Sequence, residues 1–184
     1  IAATPCPGSC LFISMCMEGL HNDKLLELHN GCGQVTQLDD YKLVSCSNDC
    51  TTENTPEYEM MLPNARLPPG SKWRISDPRA AARIRDLANQ TMQYLSNGND
   101  AYALKHKDGD IVDAIGTFTT HAPRNGWDVA GVHAATKDHT LVRKDIVSHG
   151  NCGNWSASAG SSDMDSEWIV LPGGFLLSDI VGDG

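Results

Sequence analysis

The sequence has few positive charges and no long apolar run. Lys and Arg together number 14 against 23 Asp and Glu, which leaves a formal net charge of -9. This charge would repel the phosphates of nucleic acids and anionic membrane surfaces, so we expect no nucleic-acid partner. No stretch reaches the roughly 18 apolar residues of a transmembrane helix, so we also expect no membrane span.

The sequence also lacks the motifs of common catalytic sites. It has no Gly-x-Ser-x-Gly, no His-Glu-x-x-His and no glycine-rich phosphate loop between a strand and a helix. We therefore expect no enzymatic activity, no catalytic residues and no cofactor. Weak metal candidates are the acidic side chains that could supply oxygen ligands to Ca²⁺, namely Asp163, Asp165 and Glu167, and also Glu18 with Asp23.

Cysteine, in contrast, is abundant for a chain of 184 residues, and no two cysteines form a Cys-x-x-Cys pair. Such a set is typical of a protein that forms disulfides in an oxidising compartment. Spacing leaves the connectivity open among the six that we expect to pair, which are Cys10, Cys16, Cys32, Cys46, Cys50 and Cys152. The number of cysteines is odd, so we expect Cys6, on an N-terminal arm, to be free or bonded to another chain.

Two N-glycosylation sequons point to the same compartment. They place candidate sites at Asn89 and Asn154, although each sequon can also occur by chance. The chain starts with Ile, which we interpret as removal of a signal peptide or as trimming. We therefore expect a secreted or cell-surface protein.

Short runs of alternating apolar and polar residues predict many strands. They cover 11–17, 24–30, 41–46, 58–62, 72–75, 100–105, 111–116, 140–143 and 167–170. Asp108-Gly109 predicts a hairpin turn between two of these runs. A single helix is predicted at about 78–89, with Asp77 as its N-cap and Pro78 in its first turn. This pattern favours an all-β, immunoglobulin-like sandwich with Greek-key connections.

Several segments, in this order, resemble the lamin tail domain, an immunoglobulin-like module of nuclear lamins and of many secreted proteins. They are Leu11-Phe12-Ile13-Ser14, 25–30, 38–41, 97–104, 111–116, Gly126-Trp127, 140–144, Trp155 and Glu167-Trp168. The resemblance implies a sandwich domain over 11–171, between an arm at 1–10 and an apolar extension at 172–184. Because extracellular relatives often accompany nuclease, phosphatase or adhesion domains, it implies attachment or assembly more than catalysis.

Three late tryptophans, Trp127, Trp155 and Trp168, are expected in the core, where truncation of each to Ala would cost roughly 3–5 kcal/mol. Beyond them, exposing the apolar side chains of Phe175, Leu176 and Leu177 to water would cost free energy. We therefore expect these residues either to cover a sheet edge of their own domain or to pair with a neighbouring subunit.

These features predict a non-enzymatic extracellular module for protein–protein assembly, including self-assembly, or adhesion. One alternative is an accessory domain of a secreted nuclease or phosphatase. Another is a carbohydrate-binding module whose glycan stacks on Trp127 or Tyr102.

Overall fold

A computed structural model describes residues 5–47, 50, 56–95, 97–119 and 121–174. Its strands are β1 (Leu11–Glu18), β2 (Lys24–Asn30), β3 (Thr36–Gln37), β4 (Tyr41–Cys46), β5 (Tyr58–Met61), β6 (Arg66–Leu67), β7 (Lys72–Ser76), β8 (Gln90–Thr91), β9 (Ala101–His106), β10 (Ile111–Ile115), β11 (His139–Arg143) and β12 (Trp168–Pro172). Two short α-helices, α1 (Ala82–Arg85) and α2 (Trp155–Ala159), and a 3-10 turn at Leu38–Asp40 complete the set. Within the described residues, no helix has the length and apolar character to cross a membrane.

The strands form two main sheets and one small strand pair. The larger sheet has the order β12-β11-β1-β2-β7-β8, the smaller has the order β10-β9-β4-β5, and β3 pairs with β6. All pairs are antiparallel except β7 with β8. The chain passes to the smaller sheet after β2, returns after β5, passes again after β8 and returns after β10. The predicted all-β sandwich is confirmed.

The core lies between the two sheets. Side chains alternate between the two faces of a strand, so each strand directs one row of apolar side chains into this space. Leu26 and Leu28 of the larger sheet and Leu43 and Leu104 of the smaller sheet are fully buried in one cluster. Trp155 and Trp168 belong to it as predicted, whereas Trp127 is only half-buried at its margin. The tryptophan prediction therefore holds fully at two positions.

The region predicted to be a helix at 78–89 is helical over Ala82–Arg85 only. Asp77 is not its N-cap, because the Asp77 carboxylate binds the Arg79 backbone amide at 2.8 Å and the Arg79 guanidinium at 2.8 and 2.9 Å. That local turn delays the helix start to Ala82, and Ala81 is the N-cap. The far end is cut short because β8 pairs with β7. The short α2 was not predicted.

A buried polar cluster connects the two sheets. The Asp113 carboxylate on β10 accepts hydrogen bonds from the Ile13 amide at 2.8 Å, the Asn151 amide at 2.9 Å and the Arg143 guanidinium at 2.6 Å. The Arg143 guanidinium lies 4.2 Å from the centroid of the Trp168 ring. Because these charges are paired and hydrogen-bonded, their burial is tolerated, and the residues serve the fold.

Three disulfides are present: Cys6 with Cys152, Cys10 with Cys32, and Cys46 with Cys50, which are 146, 22 and 4 residues apart in sequence. Such a set is typical of proteins in an oxidising environment. The free cysteine is Cys16, so its assignment to a disulfide is wrong, as is the assignment of Cys6 as the free thiol. Cys16 points into the core, whereas the arm that carries Cys6 folds back onto the domain.

Candidate functional site

The connection between β10 and β11 is long and irregular, and its described residues are 116–119 and 121–138. Ala130, Ala134 and Asp138 have φ angles of 54°, 54° and 56°. This left-handed conformation is costly for residues other than glycine, and it persists where surrounding contacts enforce it, often at functional sites.

Hydrogen bonds hold this connection in its strained shape. The Asp128 carboxylate accepts the Ala134 amide at 2.8 Å, and the Ala130 amide donates to the Ala159 carbonyl of α2 at 2.9 Å. A β-bridge between Val129 and Val132 closes the turn between them. The connection is therefore a fixed surface feature and can present side chains in a constant arrangement.

Trp127 is held within this connection by both its ring and its backbone. Its indole Nε1 donates to the Asp100 carbonyl at 3.0 Å, and its amide donates to the Thr136 hydroxyl at 2.7 Å. Gly116 leaves room for the ring, because a Cβ atom there would lie 2.6 Å from Nε1. The half-buried indole is therefore fixed in place.

A pocket of about 530 Å³ opens beside Trp127. Trp127 and Trp155 form its aromatic wall, and Trp155 is itself buried in the core. Polar groups supply much of the remaining lining, namely Thr117, His121, Asp128, His133 and Ser156. The pocket is wide open to solvent, and its mixed aromatic and polar lining suits a small polar ligand.

Asp128 and His133 form the charged part of the lining. Asp128 Oδ1 lies 2.8 Å from His133 Nδ1, and both side chains are exposed. The Ala134 amide, and next His133, hold the pKa of Asp128 below its ordinary value. The carboxylate therefore stays ionised and offers hydrogen-bond acceptors at neutral pH. Because these residues lie in an irregular loop, the sequence contains no spacing signal for their approach.

The calcium candidates do not come together. Glu167 pairs with Arg143, Asp163 lies 3.4 Å from Lys144, and Asp165 accepts hydrogen bonds from two serines that precede it. These serine contacts lower the pKa of Asp165 from its ordinary value. Among the described residues, the only three candidate metal ligands within 4.8 Å of one another are Cys10, Cys32 and His149, a group that was not predicted.

The remaining candidates have separate places. Tyr102 is buried in the core, so it offers no platform for a sugar. Asn89 and Asn154 are both exposed. Glycosylation of either one stays a prediction. The proposed assembly residues Phe175, Leu176 and Leu177 lie outside the described residues.

A scan against models of protein families finds no match to this chain, and no curated protein matches it. The pocket beside Trp127 is therefore interpreted from its own geometry.

Proposed function

We propose that this chain is a non-enzymatic extracellular binding module of the lamin-tail type, and that it binds a carbohydrate in the pocket beside Trp127. The single observation that carries the proposal is the half-buried indole, held rigidly at the wall of a pocket with a polar lining. The lamin-tail assignment rests on the resemblance of the sequence segments between Leu11 and Trp168.

Carbohydrate chemistry fits this lining. A pyranose ring has an apolar C–H face that packs on an aromatic ring, and hydroxyl groups that need hydrogen-bond partners. Trp127 supplies the aromatic ring, while the Asp128 carboxylate and the exposed His133 supply hydrogen-bonding groups beside it. Because the loop is already ordered, ligand binding does not have to order it, which favours affinity.

The disulfides support an extracellular location of the protein. Three intramolecular disulfides favour secretion or display at the cell surface, where glycan ligands are abundant. Recognition of surface glycans would supply the adhesion role. Protein assembly through Phe175, Leu176 and Leu177 and the accessory role in a secreted hydrolase stay predictions.

A glycan array followed by calorimetric titration of the best sugar tests the proposal. We expect a sugar to bind to the full chain and Trp127→Ala to weaken binding about 2- to 13-fold, since an aromatic contact contributes about 0.5–1.5 kcal/mol. Trp73→Ala is the matched control, because Trp73 is also half-buried but lies on β7, away from the pocket.

Three variants together decide whether the sugar binds beside Trp127. We expect Trp73→Ala to bind the sugar like the wild type and Asp128→Asn to bind it more weakly. The proposal is wrong if no sugar on the array binds, or if Trp127→Ala, with a wild-type circular dichroism spectrum, binds the sugar as the wild type does.

A further inference from the structure

Three backbone segments meet where β1 begins. The Gly31 amide donates to the Cys10 carbonyl at 2.9 Å, and the Gly150 amide donates to the Ser9 carbonyl at 2.8 Å. Gly31 also allows the third segment to approach closely, because a Cβ atom there would lie 2.4 Å from the Ser148 carbonyl oxygen. These contacts hold the segments together independently of any bond between sulfur atoms.

Each segment contributes one metal-binding side chain. Cys10 and Cys32 form a disulfide, and His149 Nε2 lies 3.5 Å from the Cys32 sulfur. The other imidazole nitrogen, Nδ1, lies 2.9 Å from the Ser148 hydroxyl. This contact orients the ring, as partners of the second nitrogen do for histidine ligands of metals. All three side chains are partly exposed, so an ion can reach them from solvent.

The spacing matches a tetrahedral site. With metal–sulfur and metal–nitrogen distances of about 2.3 and 2.0 Å, a tetrahedral angle separates a sulfur and a nitrogen ligand by about 3.5 Å. His149 Nε2 and the Cys32 sulfur already have this separation. The two sulfurs would have to move apart to about 3.8 Å, which side-chain rotation can supply between Cα atoms that are 5.2 Å apart.

We propose that Cys10, Cys32 and His149 form a site for a thiophilic cation, such as Zn²⁺ or Cd²⁺, that becomes available when the Cys10–Cys32 disulfide is reduced. Two molecules of a small thiol reduce the disulfide to two protein thiols and are themselves oxidised to one small-molecule disulfide. The cation then binds the two sulfurs as thiolates, displaces their two protons and takes His149 Nε2 as its third ligand. Water fills the fourth position.

Ligand chemistry determines which cations bind. Two thiolates and one imidazole favour Zn²⁺ and Cd²⁺ over Mg²⁺ and Ca²⁺, which prefer oxygen ligands. In the oxidised chain both sulfurs are in a covalent bond to each other and cannot act as thiolate ligands. The site therefore depends on the redox state of one disulfide, and it does not involve the pocket beside Trp127.

Cd²⁺ titration of the phosphine-reduced full chain tests the proposal, with thiolate-to-metal charge-transfer absorption and elemental analysis as readouts. Phosphine also reduces the other two disulfides, so we expect the reduced wild type to bind one ion more per chain than reduced Cys10→Ser/Cys32→Ser does, and the oxidised chain to bind none. Removal of a ligand in His149→Ala is expected to weaken binding of that additional ion at least about 10-fold. His139→Ala and the double variant Cys46→Ser/Cys50→Ser are matched controls that should retain this ion with wild-type affinity.

Thermal unfolding of the same samples gives a second readout. At the same ion concentration, Zn²⁺ should raise the unfolding temperature of the reduced wild type and of both controls by more than that of reduced His149→Ala, whose site is weaker. Equal Cd²⁺ affinity of wild type and His149→Ala would overturn the proposal, as would a reduced chain that unfolds and is not refolded by the ion.

Discussion

Cys16 shows how burial controls the chemistry of a single side chain. It lies on the inward face of β1 among core residues, and it is the free cysteine of the described chain. Burial, and next the neighbouring Glu18 carboxylate, raise the pKa of Cys16 to about 12. Because the thiolate is the reactive form, this cysteine should be inert in the folded protein.

We expect native protein to resist iodoacetamide at pH 8 under non-reducing conditions. In denaturant, still without reductant, it should gain a single adduct because unfolding exposes the Cys16 thiol and restores an ordinary pKa. Intact-mass measurement counts the adducts, and Cys16→Ala should gain none in either state. Native labelling at the rate of a small thiol would contradict the assignment.

The distinction between Cys6 and Cys16 was beyond sequence reasoning. Cys6 lies between two prolines near the N-terminus, and this context indicated a free arm. Its disulfide partner, Cys152, is 146 residues away. Cys16 occupies an inward position of a strand that was predicted well, but strand periodicity does not show which cysteines face each other.

Among the secondary-structure elements, β2 shows that strand alternation predicts the face on which a residue lies but not whether that residue is buried. Its pattern correctly places Glu27 on the outer face of the larger sheet, yet this residue is fully buried. The Ser14 hydroxyl, at a β-bulge of β1, donates to the carboxylate at 2.9 Å. From β7, Lys72 and Arg74 reach the same carboxylate at 2.8 and 2.9 Å.

These contacts determine the charge state of Glu27. Burial acts to raise the pKa of Glu27, but hydrogen bonds and charge from Lys72, together with the bonds from Arg74 and Ser14, outweigh it. The pKa therefore lies below its ordinary value of 4.5. A carboxylate with a lowered folded-state pKa stabilises the fold above its unfolded-state pKa, and this contribution disappears as the pH falls through the folded-state value.

We therefore expect Glu27→Gln to lower the free energy of unfolding by about 1.5–3 kcal/mol at pH 7, the range for hydrogen bonds to charged groups. The difference from wild type should shrink as the pH drops below 4.5, the ordinary value. Urea unfolding at several pH values measures both effects.

Glu59→Gln is the control for this measurement, because the Glu59–Lys42 pair is solvent-exposed and such pairs contribute little. A wild-type advantage over Glu27→Gln that is constant from pH 7 to pH 3 would contradict the account.

At the scale of the whole molecule, the disulfides enclose loops of very different length. The Cys6–Cys152 bond spans 146 residues of sequence, whereas the Cys46–Cys50 bond spans 4. A disulfide restricts the unfolded chain more when its loop is longer. The bond that holds the N-terminal arm to the domain should therefore contribute most to stability.

Guanidinium unfolding of two double variants tests this ranking. Chain entropy predicts a loss of about 5 kcal/mol for Cys6→Ser/Cys152→Ser and of about 2 kcal/mol for Cys46→Ser/Cys50→Ser. Native circular dichroism spectra of both variants confirm that each one folds before unfolding free energies are compared. An equal or larger loss in the second variant would show that loop length does not govern disulfide stabilisation here.

Local patterns were enough to predict the strand segments, the hairpin at Asp108-Gly109 and the sandwich class, because each depends on residues that are neighbours in sequence. The predicted strands lie within about two residues of the observed ones, and the strands missed are the two-residue strands β3, β6 and β8. The helix at 78–89 was overestimated because a contact between Asp77 and Arg79 and the pairing of β8 override helix propensity.

Only the packing of the chain determined four further features. These are the disulfide partners, the buried carboxylate of Glu27, the contact of His149 with Cys32 and the pocket beside Trp127. Most of these contacts join segments far apart in sequence: His149 is 117 residues from Cys32, and Cys152 is 146 residues from Cys6. Composition and periodicity describe what a residue prefers locally. They do not describe which distant side chain it will meet, because that contact depends on sheet order and on the path of the connections.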